Sequence, residues 1–156
     1  MAEELLVYGS FIENLMSGNI ADLSGGAVTL KCALLDRSHT PSQNHDNWGQ
    51  ISSDEVDDGV FTDYAAQNVV VDVSYASRVT LLEAPVETVF GLDVTITAGY
   101  AVLYDDRPVA DADKKLVALI DFGEERSAVS GVFKIEWGAV SETNAILKVT
   151  VAAPAE

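Results

Sequence analysis

The chain is poor in positive charge. Nine Lys and Arg stand against 25 Asp and Glu, a net charge of -16. Nucleic-acid backbones and anionic membrane surfaces are bound chiefly through Lys and Arg, so neither is an expected partner. Cysteine occurs once, at Cys32, which excludes a disulfide within the chain. Histidine occurs twice, and aromatics make up only 8%. No apolar run approaches the roughly 18 residues that would span a bilayer as a helix. The stretch Met1-Ala2-Glu3-Glu4 is acidic where a secretory signal would be basic. The expectation is a protein made in the cytoplasm and not exported by a signal peptide. No repeat with a period of about 20–50 residues is visible.

Apolar content is ample. Hydrophobic residues form 48% of 156 residues, enough for a sizeable core, and the length fits one domain over 1–156. Ser10 and Glu13 have capping-box spacing. Phe11, Ile12, Leu15 and Met16 follow at helical spacing, and Gly18 can end the helix. These signs predict one short helix near residues 10–17.

After Gly25-Gly26 the period becomes two. Val28, Leu30, Cys32 and Leu34 fall on one face of a predicted strand, with Thr29, Lys31, Ala33 and Leu35 on the other. Residues 37–59 have no period and read as a long polar loop. Strand signals return in "NVVVDVSY" (Val69, Val71, Val73 and Tyr75 on one face) and "RVTLLEA". They continue in "LDVTITAGYAVLY", where Gly99 suggests a bulge or bend. "KLVALIDF" is apolar throughout, as in a strand buried on both faces. "GVFKIEW" alternates Phe133, Ile135 and Trp137 with polar residues, and "AILKVTVA" carries Leu147, Val149 and Val151. Seven or eight short strands and one helix predict an all-β fold, an antiparallel β-sandwich or jelly-roll-like domain.

The stretch "HTPSQNHDNW" holds both histidines, His39 and His45, with Asp46 and Trp48 beside them. Such residues build catalytic and metal sites. A catalytic histidine, however, needs a nucleophile and an orienting partner, and zinc needs three or four ligands at short spacings. Here Asp46 could be a third ligand, and nothing supplies a clear fourth. The reading favoured is a polar loop whose side chains satisfy its own backbone, pinned to the core by Trp48. Cys32 reads as a small buried hydrophobe rather than a reactive thiol. Asp111 and Asp113 open like a calcium loop, but no Gly follows at the sixth position and Phe122 stands where a bidentate Glu is needed. The acids from Asp54 to Asp58 also lack that pattern, and Gly25-Gly26 and Gly123 do not form a phosphate cradle. Tyr100, Tyr104, Phe133 and Trp137 read as core or interface residues. An exposed aromatic face would instead suggest a carbohydrate-binding module. The expectation is therefore no catalytic residue, no metal and no cofactor.

Three segments, in order, carry a resemblance: "TLKCALLDRSHTPSQNHDNWGQISSDEV", "GYAVLYDD" and "LVALIDFGEERSAVSGVFKIEW". They resemble a family of small tailed-bacteriophage virion proteins, whose members look like "IKVALL-S-YTP--D-H---DI--EV", "ARYAVIYKD" and "LIAYIDFG-----NGDF-I-W". The early "FIENLMSGNIADL" is also similar to that family's start, so the likeness covers about residues 5–150. Gly99 stands where the family usually has Arg. The resemblance implies a non-enzymatic structural protein of the virion, assembled in the host cytoplasm. Foremost is a capsid decoration or cement protein that contacts the major capsid protein and copies of itself. A tail or baseplate component is the alternative. In the family, the "TP" and "HD" lie in the polar connection after the first strand, here Thr40-Pro41 and His45-Asp46. That implies loop architecture: Pro41 fixes the chain's exit and Asp46 caps a turn.

Overall fold

A computed structural model describes residues 4–20, 23, 28–56, 64–76, 79–84, 87–137 and 145–150. Its seven strands are β1 (Glu4–Val7), β2 (Val28–Leu35), β3 (Gln67–Ala76), β4 (Val79–Glu83), β5 (Glu87–Tyr104), β6 (Leu116–Glu136) and β7 (Leu147–Thr150). One helix, α1, spans Gly9–Met16. The strands form one antiparallel sheet in the order β1-β6-β5-β2-β3-β4-β7. The sheet is nearly closed into a barrel, so the expected all-β antiparallel fold with a single helix is present.

The apolar runs explain the middle of the sheet. Ala118, Leu119 and Ile120 of β6 pair with both β1 and β5, and all five residues from Leu116 to Ile120 are buried. Ala33, Leu34 and Leu35 of β2 pair with Val102, Ala101 and Tyr100 of β5, and all six are buried. The half-exposed face expected for β2 is therefore sealed at its C-terminal end. The alternating face of β3 behaves differently: Val69 and Val71 are buried, but Tyr75 is exposed. β3 leaves the core along its length, so its last residues gain little from burial.

Three local expectations are corrected. α1 begins at Gly9 with Tyr8 as its N-cap and no side-chain cap. Ser10 Oγ instead donates to the carbonyl of His45 at 3.4 Å, so the capping-box spacing is used for tertiary contact. In α1, Phe11 and Asn14 are the buried residues, whereas Met16 is exposed. Gly18 does follow the helix with φ 77°, a left-handed value that suits glycine. Next, "KLVALIDF" and "GVFKIEW" belong to one strand, β6, of 21 residues. The polar stretch between them reads as a turn, but it pairs with β5 through Arg126, Ser127, Ala128 and Gly131. Last, Glu4–Val7, unassigned from sequence, forms β1 and pairs with Ala118 to Asp121. Gly25-Gly26, Asp57, Asp58 and Val151 lie outside the described residues.

Gly99 does mark a bend. Ala98 pairs with Arg126 and Tyr100 with Asp121, so Gly99 alone lies opposite Phe122 to Glu125. A Cβ at Gly99 would stand 2.6 Å from the Cα of Arg37. Only glycine lets that backbone approach. Beyond the bend, β5 and β6 continue as a two-stranded ribbon, since β2 pairs with β5 only from Tyr100 to Tyr104.

Candidate functional site

The polar loop between β2 and β3 folds back over the β5–β6 pair, and His39, His45, Asp46 and Trp48 all take part. Trp48 stacks on Tyr104 with ring centroids 4.4 Å apart and planes 6° from parallel. Its backbone N–H donates to the carbonyl of Lys114 at 2.8 Å, and an isolated bridge joins Asn47 to Lys115. Trp48 thus pins the loop to the core, as the sequence suggests.

Asp46 is a joint between three elements. Its carboxylate accepts from Asn14 Nδ2 of α1 at 2.7 Å and from Lys115 Nζ at 2.5 Å. Burial pushes its pKa up, but the Lys115 and Asn14 hydrogen bonds outweigh that and hold it below the ordinary carboxylate value. The residue is committed to structure, and it also explains why Asn14 is buried.

His39 is 4% exposed. Its Nδ1–H donates to Asp54 Oδ2 at 2.7 Å. Its ring packs edge-on against Tyr100 at 5.6 Å and lies 5.8 Å from the ring of His45. An Asp–His pair is one half of a nucleophile-activating arrangement. The other half is not built among the described residues: His39 Nε2 is buried with no hydrogen-bond partner, as is His45 Nδ1. Burial, and then the neighbouring His39, lower the pKa of His45, with Asp54 partly offsetting them. Asp46 is turned to Asn14 and Lys115, so it does not join the two imidazoles.

Arg37 was not anticipated. Its guanidinium donates to Asp121 Oδ1 at 2.7 Å and to the Gly123 carbonyl at 3.5 Å. It also sits 4.8 Å from the centre of the Tyr100 ring. The same Asp121 oxygen accepts the Gly123 N–H at 2.8 Å. Burial raises the pKa of Asp121, yet the Arg37 and Gly123 bonds prevail and lower it. The group clasps the bend at Gly99 from both strands. Tyr64 makes a second unforeseen joint: its hydroxyl accepts the Leu34 N–H and donates to Glu55 Oε1, each at 2.9 Å.

The remaining candidates are also placed. Cys32 is fully buried, and burial raises its thiol pKa strongly. Asp111 pairs with Lys114 at 2.9 Å, and Lys114 also reaches Asp106 at 2.8 Å. Asp111–Asp113 is a single 3-10 turn in the β5–β6 connection. Among the described residues, no three His, Cys, Asp or Glu side chains converge as a metal site would require. Tyr100, Tyr104 and Phe133 are buried, and Trp137 is half-buried with its indole N–H donating to Thr88 Oγ1 at 2.8 Å. The exposed large aromatic among the described residues is Tyr75. No helix among the described residues is long and apolar enough to cross a membrane. No family model, curated protein or solved structure matches the chain.

Proposed function

We propose that this chain is a structural component of a tailed-bacteriophage virion, a decoration protein that binds the head lattice. One observation carries the reading. The first segment that resembles the phage family ends 43 residues before the second begins (99 - 56), yet it folds onto the second and third in one knot of mutual support. Arg37, His39 and Trp48 come from the first segment, Tyr100 and Tyr104 from the second, and Asp121 and Gly123 from the third. The Arg37 guanidinium, the Asp121 carboxylate and His39 Nδ1 are engaged in bracing bonds, which supports a shared scaffold more than a shared reaction. Where the family carries Arg at the place of Gly99, Arg37 here lays its side chain over that glycine. The acidic surface fits a protein that coats a shell, because each copy can turn its charge to solvent.

Quantitative mass spectrometry of purified particles, from the phage whose genome encodes the chain, tests this. Hundreds of copies, near the number of the major capsid protein, are the expected result. A handful in multiples of three or six would move the protein to the tail. Absence from the particles would overturn the proposal.

A further inference from the structure

The ribbon beyond the Gly99 bend has an open side. β1 pairs with β6 only from Ala118 to Asp121. From Phe122 to Glu136, no described strand takes the outer edge of β6. Such an edge is a ready template for another strand. Its composition is unusual for so acidic a chain. Residues 127–133, Ser-Ala-Val-Ser-Gly-Val-Phe, carry no charge, nor do Thr97, Ile96, Val94 and Gly91 of β5, which pair with Ser127, Ala128, Gly131 and Phe133; Asp93 is the one acid in that stretch of β5. Aliphatic side chains stay in solvent there: Val129 is 77% exposed, Leu92 75% and Val132 51%. A groove of about 660 Å³ runs beside the edge, with Phe122, Phe133 and Trp137 in its walls.

We propose that this edge pairs with the same edge of a second copy, β6 against β6, antiparallel about a two-fold axis at Val129. The charges choose the partner and narrow the register. Two copies of net charge -16 repel wherever their acids meet, so they can approach closely only along an uncharged strip. The strip is flanked by Glu124, Glu125 and Arg126 on one side, with Arg126 3.1 Å from Glu124, and by Lys134 on the other. An axis at Val129 sets residue i opposite residue 258 - i, so Glu124 of each copy faces Lys134 of the other. An axis at Ser130 would set Glu124 opposite Glu136 and Arg126 opposite Lys134, like against like. The backbone agrees. Ser130 has φ 46°, and the β5–β6 register slips between Ile96–Ala128 and Val94–Gly131. A bulge usually guards an edge by breaking its ladder. With the axis at Val129 the irregularity lies at the centre. Residues 124–128 are then free to pair with 130–134 of the partner on each side. Lys134 already pairs with Glu87 and Glu136 of its own copy at 3.1 and 2.6 Å, so the second copy extends an existing charge ladder.

The test uses the purified full chain and does not depend on the proposed place in a virion. Val129→Cys places a thiol on the axis, where opposed Cα atoms in an antiparallel pair lie about 4.5–5.5 Å apart, within disulfide reach. Mild oxidation should join most of the Val129→Cys chains into dimers. Val109→Cys, at a 98% exposed position in the β5–β6 connection, should stay at least tenfold less cross-linked. Cys32 is buried and does not interfere. Sedimentation should show a reversible dimer in the unmodified chain. Lys134→Glu should weaken it at least tenfold, and Glu124→Lys combined with Lys134→Glu should recover most of the loss. Equal cross-linking at Val109 and Val129, or a chain that sediments as a monomer at every concentration, would overturn the proposal. Dimers that the charge swap fails to restore would overturn the register.

Discussion

The two halves of the β5–β6 pair are built on opposite plans. On the β2 side of the Gly99 bend, the strands have neighbours on both edges, and Tyr100 to Tyr104 and Leu116 to Ile120 are buried. The loop that carries His39 to Trp48 is tied across them by a ring stack and two ion pairs, Arg37–Asp121 and Asp46–Lys115. On the far side, the same two strands have no further neighbour among the described strands, with one face against the core and the other in solvent. One covalent pair of strands thus contains a scaffold and a free arm. What separates them is the company each strand keeps rather than strand propensity: "YAVLY" of the scaffold and "GVFKIEW" of the arm are both good strand sequences.

Tryptophan truncations are the strongest way to test that contrast. Trp48→Ala removes a buried, stacked ring and should cost about 3–5 kcal/mol in a denaturant titration. Trp137→Ala acts on a half-buried ring at the end of the arm and should cost roughly 1–2 kcal/mol, because part of its surface is already wet. Equal losses would erase the distinction between scaffold and arm.

Arg37→Met gives a more local effect. It keeps the aliphatic packing over Gly99 and removes the bonds to Asp121 and Gly123. Amide hydrogen exchange should accelerate in residues 122–136 and stay nearly unchanged at Leu116 to Ile120. Uniform acceleration would mean that Arg37 supports the whole sheet and not the bend.

The smallest effect concerns pH. The pKa of His45 lies below its ordinary 6.5, so the unfolded chain takes up a proton more readily than the folded one. Its contribution to stability is whole above that value and is lost as pH falls through it. Asp46 and Asp121, held low by their partners, lose theirs further down, through the carboxylate range. Thermal midpoints should therefore fall in two stages on acidification, and His45→Gln should remove the first. A midpoint that rises on acidification would contradict the burial of His45.

The legible part of this fold was its interior. Leu116 to Ile120 and Tyr100 to Tyr104 announce buried strands because flanking strands exclude water from them. The arm was hidden for the converse reason. "GEERSAVSG" is polar because its strand has water on one edge and one face, so it carries the composition of a turn. β1 is too short for a period to show. The joints were invisible because their partners are remote in the chain: Arg37 and Asp121 are 84 residues apart, and Tyr64 reaches Leu34 across 30. The loop's histidines and Trp48 drew notice by residue type, and their structural use followed from the missing partners. Asn14, a polar residue on the buried face of α1, had no signal except its distant acceptor Asp46.

The pairing of β1 with β6 also sets an order in time. Glu4 lies opposite Asp121, 117 residues later (121 - 4). A ribosome adding about 5–20 residues per second leaves β1 without its neighbour for roughly 6–25 s. β5 and β6 wait far less, because they meet through the short turn around Asp111–Asp113 and can zip from it. Of the described strands, β1 therefore waits longest for a sheet neighbour. Throughout that interval Leu5, Leu6 and Val7 are exposed beside Glu4, whose charge acts as a gatekeeper against pairing with a neighbouring nascent chain.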